Sequence, residues 1–158
     1  MARSASHDAR AARGFAASLV CAGALATLSL FAASVPAASA AGTTITARGS
    51  QFGTMLWGPK RQAVYIFQRD PRGTSRCYGA CAKAWPPVYT SARPVAGRNV
   101  RRSLLGTTRR RGGRTQVTYA GKPLYYYVHE GPGQVLCHNV DLNGGLWWVV
   151  GPDGKRRP

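Results

Sequence analysis

The side chains in this 158-residue chain that could do chemistry are few and grouped. Cys77, Cys81 and Cys137 lie beyond the N-terminal apolar run, and His138 follows the last of them directly. Three thiolates and an imidazole form a donor set suited to Zn²⁺ or Cu⁺. Against that reading, Cys-x-x-x-Cys is looser than the usual two-residue gap, and adjacent Cys and His side chains rarely bend to one ion. In an oxidising compartment the same thiols pair instead, and three of them leave one over. A nucleophilic cysteine needs a base beside it, and only His129 and His138 follow the leader. Asp70 and Glu130 could serve a glycosidase only if their carboxyls stood about 5 to 9 Å apart. Each follows an aromatic run, where an acid more simply caps the next turn or meets an arginine. No catalytic residue is assigned, so the expectation is a non-enzymatic protein without a cofactor. The alternative is a redox or metal-handling protein using Cys77, Cys81, Cys137 and His138 with Zn or Cu.

The second kind of chemistry is charge. Lys and Arg number 22 against 5 acids, a formal +17, and Arg109, Arg110, Arg111 and Arg114 crowd one short stretch, with Arg98, Arg101 and Arg102 shortly before it. Such a surface attracts any polyanion. The N-terminus limits which polyanion that is. Arg3, Arg10 and Arg13 precede an uncharged run from Gly14 to Val35, and Ala38 and Ala40 fit the small-x-small pattern of a signal-peptidase site. Residues 1–40 therefore read as a signal peptide and 41–158 as one β domain. Leaving out the leader's three arginines and Asp8 reduces the count to 19 bases and 4 acids, about +15. An exported domain rarely meets nucleic acid, and no nucleic-acid motif accompanies the charge. An anionic cell-envelope component is the expected partner, with membrane contact only peripheral or through an uncleaved leader.

These residues must be positioned by strands. From Val64 to Gln68 the chain alternates, with Tyr65 and Phe67 on one side and Val64 and Ile66 on the other, both buried or half-buried. Asp70-Pro71-Arg72-Gly73 ends the run. Adding sixty carries Val64 to Leu124, Tyr65 to Tyr125, Phe67 to Tyr127, Asp70 to Glu130, Gly73 to Gly133 and Cys77 to Cys137, which indicates an internal duplication. The repeats span about 52–89 and 103–151, with an aperiodic linker over about 90–102. Further strands are expected at Thr43 to Thr46, Gly53 to Trp57 and Leu146 to Val150. A Gly112-Gly113 turn should close a hairpin between Thr108 and Ala120, Gly131 to Asn143 reads as a loop, and the tail after Gly154 is expected to fray. The fold class is all-β, a small sandwich or barrel of two repeated halves with at most a helical turn near Cys77 to Lys83. Tyr65, Phe67, Tyr125 and Tyr127 read as core, whereas Tyr126 and Trp148 point the other way and are the better candidates for a surface contact.

The run Tyr65, Phe67, Asp70, then Cys77 to Ala82, then Trp85-Pro86-Pro87 resembles a bacterial family described as secreted repeats of unknown function, or predicted lipoproteins with a Tyr-x-Phe/Trp/Tyr-x-x-Asp motif. Gly113 to Tyr127 and Gly144 to Gly154 extend the resemblance over most of the chain after Phe52. It implies an exported protein with no established activity, and it keeps Cys77 and Cys81 together as the expected disulfide, with Gly79 supplying the kink such a short loop needs. Lipid attachment departs from this sequence: Cys21 falls early in the apolar run and follows Ser18-Leu19-Val20, with no small residue just before it.

Overall fold

The computed structural model describes residues 41–158; the leader expected over 1–40, with its cleavage site, lies outside the described residues. The domain is all-β, as predicted. Three three-stranded sheets are built from nine short strands, with one five-residue helix. Strand β1 (Thr44–Arg48) pairs antiparallel with β2 (Met55–Trp57) and parallel with β4 (Val95–Ala96). Strand β3 (Tyr65–Phe67) pairs with β9 (Leu146–Val149), which also carries β8 (Val140–Asp141). Strand β5 (Leu105–Arg109) forms the expected hairpin with β6 (Thr115–Tyr119), and β7 (Lys122–Pro123) lies on its far side. Gly112 and Gly113, both at φ +83°, make the turn between β5 and β6. Helix α1 (Ala80–Ala84) is the short helical turn foreseen near Cys77.

Period-2 alternation puts opposite faces of the same strands into two different cores. Val64 and Ile66 join Ile45, Val88, Val117, Leu124 and Val150 in one cluster, while Tyr65 and Phe67 join Trp57, Trp85, Tyr125 and Trp147 in the other. This two-sided burial overturns the surface role expected for Tyr126 and Trp148. Trp148 is 9% exposed, and Tyr126 is half-buried against the same first cluster. Their face is covered by the β1–β2 and β5–β6 hairpins, which the alternation within a single strand could not reveal.

Two further expectations are corrected. The 90–102 segment contains β4, whose two residues are too few to show a period, and its pairing with β1 ties the segment to the first sheet. The tail is pinned: Arg157 N donates to Val149 O at 3.0 Å, Val150 bridges to Arg156, and the Arg157 guanidinium pairs with Asp153.

Candidate functional site

The repeat motif turns out to be exchanged between the halves. Tyr65 and Tyr125, sixty residues apart, donate backbone N–H to each other's carbonyl at 2.8 and 3.0 Å. From this junction each side chain reaches the other repeat's acid: Tyr65 Oη donates to Glu130 Oε1 at 2.5 Å, and Tyr125 Oη to Asp70 Oδ2 at 2.5 Å. Each acid then caps the loop that follows it. Asp70 Oδ1 accepts from Arg76 N at 2.7 Å, and Glu130 Oε1 from Leu136 N at 2.5 Å and Cys137 N at 3.2 Å. The glycines obey the same exchange, since Gly73 N donates to Gly121 O and Gly133 N to Arg61 O. Trp85 and Trp147 stack face to face at 3.8 Å with planes 2° apart, and Tyr127 and Phe67 cover their outer faces at 4.7 and 4.4 Å. Fully buried rings of this size dominate a small core's energetics.

Burial is the largest influence on both acids, and it pushes each carboxyl above its ordinary range despite the donors around it. The tyrosines respond in kind. Burial, reinforced by the neighbouring carboxylate, raises Tyr65 and Tyr125, so their hydroxyls keep their protons and donate. Burial alone pushes Tyr126 up to about 12. These are structural carboxyls. Asp70 and Glu130 are 1% and 7% exposed, and each is engaged by a tyrosine.

Cys77 and Cys81 are joined, with Cα atoms 5.2 Å apart across the kink at Gly79 (φ +57°). Cys137, the repeat equivalent of Cys77, is a buried free thiol whose titration is raised by burial; Asp141 stands where the equivalent of Cys81 would be. The bond consumes two of the four ligands expected for Zn or Cu. His138 is turned away toward Phe52, Trp148 and the Pro158 carbonyl. Among the described residues no group of three or more His, Cys, Asp or Glu side chains is placed to hold an ion.

The basic cluster divides. Arg109, Arg111 and Arg114 are exposed around the hairpin tip, with Arg114 lying 3.4 Å above the Tyr89 ring and Arg111 4.7 Å above Tyr78. Arg110 is not part of that surface. It is 5% exposed and donates to Ser75 Oγ at 2.6 Å, Gln116 Oε1 at 2.7 Å and the Cys77 carbonyl. Strand geometry explains the split, because in β5–β6 the even-numbered residues face the Asp70–Ser75–Tyr125 network while Arg109 and Thr107 face the other way. No spacing pointed to Ser75 or Gln116, the partners that make this buried cation tolerable.

Beside the hairpin lies a groove of about 480 Å³ between the 90–94 segment and β5. Arg93 and Arg102 supply its charge, Ser91, Thr107 and Thr115 its hydroxyls, and no acid lines it. Sequence reading assigned Arg93 to the linker and missed the groove, which exists because the linker folds back over the hairpin. A family model described as a secreted repeat of unknown function matches residues 46–89 and again 106–151. No curated protein and no solved structure matches the chain.

Proposed function

Because the chain belongs to the family of secreted repeats of unknown function, we propose that it is an exported, non-enzymatic β domain that binds an anionic cell-envelope component through its basic face. The family's description supports an extracellular location. The observation that carries the binding reading is where the few acids go. Of the four after the leader, Asp70 and Glu130 are buried with tyrosines and Asp153 pairs with Arg157, which leaves Asp141 as the one exposed acid without a salt bridge among the described residues. The excess of cations therefore meets solvent undiluted, and the groove holding Arg93 and Arg102 shares its Thr115 wall with a hollow lined by Arg114.

A field of this kind steers polyanions and is screened by salt. The test is retention of the purified protein on bacterial wall material over a salt series. Retention should fall steeply with salt and be largely lost when Arg109, Arg111 and Arg114 are changed to Ser; equal retention of that variant refutes the reading. The metal alternative draws less support, because the disulfide leaves Cys137 as the one thiol among the described residues, and it is buried.

A further inference from the structure

The groove beside the hairpin is one of three that share walls. Thr90, Ser91 and Thr115 line both it and a second hollow of about 400 Å³ containing Tyr89 and Arg114. Thr43 in turn lines that second hollow and a third, of about 370 Å³, bounded by β1 and the Gly58–Arg61 turn. The path thus runs from repeat two, across the Tyr89–Thr90 segment, onto repeat one. Its cations are spread along it: Arg93 and Arg102 at one end, Arg114 in the middle, and Arg48, Lys60 and Arg61 at the other end. All six are exposed, and no acidic side chain lines any of the three hollows.

Between the cations the walls are hydroxylic. Period-2 alternation turns Thr44, Thr46 and Arg48 to one side of β1 while Ile45 and Ala47 enter the core, and Ser91, Thr107 and Thr115 continue the hydroxyls into the first groove. A guanidinium offers several donors in a planar fork and a hydroxyl offers one more. Each interior phosphoryl of a linear polymer offers two charged non-bridging oxygens to such forks and bridging oxygens to the hydroxyls, and its charge repeats along the chain as the cations repeat along the three hollows.

We propose that the three hollows form one binding track, and that its ligand is a linear phosphate polymer lying across both repeats. This rests on the anion-binding reading above and names its partner class and path. A phosphate chain that spans the track engages cations from both ends at once, so its affinity grows with length until the track is filled. A short phosphate occupies one hollow only.

The experiment measures binding of the purified exported protein to tripolyphosphate, long-chain polyphosphate, a polyol phosphate and polygalacturonate over a salt series. By the counterion-release rule for single strands, six contacted charges give a log–log salt slope of about −4. Changing Arg93 and Arg102 to Ser, or Arg48 and Arg61 to Ser, should reduce that slope to about −3 and weaken binding by about tenfold or more. The charge-matched control changes the exposed, off-track Arg72 and Arg76 to Ser, and it should leave the slope near that of the unaltered protein. Thermal melting of each variant excludes unfolding as the cause. The proposal is overturned if tripolyphosphate binds as tightly as the long chain, if the control variant loses as much as the end variants, or if polygalacturonate binds as well as the phosphate polymers. Wall retention without binding to either phosphate polymer overturns the track while leaving the envelope-binding reading intact.

Discussion

Removing the hydroxyl of Tyr65 should destabilise the domain through repeat two and leave the acid of its own repeat out of the effect. Tyr65 Oη is one of three donors on Glu130 Oε1, while Glu130 Oε2 is buried without a hydrogen-bond partner. Tyr65→Phe therefore deprives a buried carboxyl that has no surplus of partners. A hydrogen bond to a charged group contributes about 1.5–3 kcal/mol, so a loss of about 2 kcal/mol is expected, or about 8 °C in melting temperature for a domain of this size. The assay is urea unfolding followed by tryptophan fluorescence, with two double-mutant cycles. Tyr65→Phe combined with Glu130→Gln should show a coupling above about 1 kcal/mol, and combined with Asp70→Asn a coupling below about 0.5 kcal/mol. Tyr125→Phe should give the mirror result, coupling to Asp70 and not to Glu130. Coupling of each tyrosine to the acid of its own repeat would refute the exchange.

The carboxyls also give a pH signature. Burial holds Asp70 and Glu130 above their ordinary range, so the folded state keeps protons the unfolded chain releases. Their contribution is then fully present below the unfolded carboxyl value of about 4 and declines as pH rises through the raised folded values; urea midpoints should fall over that window, and Glu130→Gln should flatten the decline. Arg110→Ala, which deprives the buried Gln116 Oε1 of its donor while Ser75 Oγ keeps Tyr125 and Cys77 N, should cost about 2 kcal/mol in urea unfolding, whereas Arg111→Ala at the exposed tip should stay within about 0.5 kcal/mol. Breaking the Cys77–Cys81 bond opens a loop of only five residues, for which chain entropy gives a loss of about 2 kcal/mol. Thiol titration of a chain beginning at Ala41 should find no fast-reacting thiol when native, one when unfolded and three when unfolded with reductant.

The offset of sixty made the duplication legible, together with the equivalence of Tyr65 with Tyr125 and of Asp70 with Glu130. Which acid each tyrosine meets was not legible, because an exchanged pair and a pair within one repeat have the same spacing. Alternation correctly sorted Val64 and Ile66 from Tyr65 and Phe67 and put both sets inside, but at Tyr126 and Trp148 it shows only that they face away from the aromatic core and not what covers them. Here that face meets a second core, so Trp148 and Tyr126 were placed outside. Arg110 was missed for a related reason: composition puts arginine at the surface, and its three acceptors come from two segments, Gln116 across the hairpin and Ser75 with Cys77 about 35 residues away. The groove is made by a segment whose only strand is two residues long, too short to leave a periodic trace.

Binding to the wall itself tests the central claim most directly. Wall material from which the anionic polymers have been stripped is compared with the untreated wall, at low salt and with the unaltered protein. The account predicts retention on the untreated wall and its loss after stripping. Equal retention on both would contradict it.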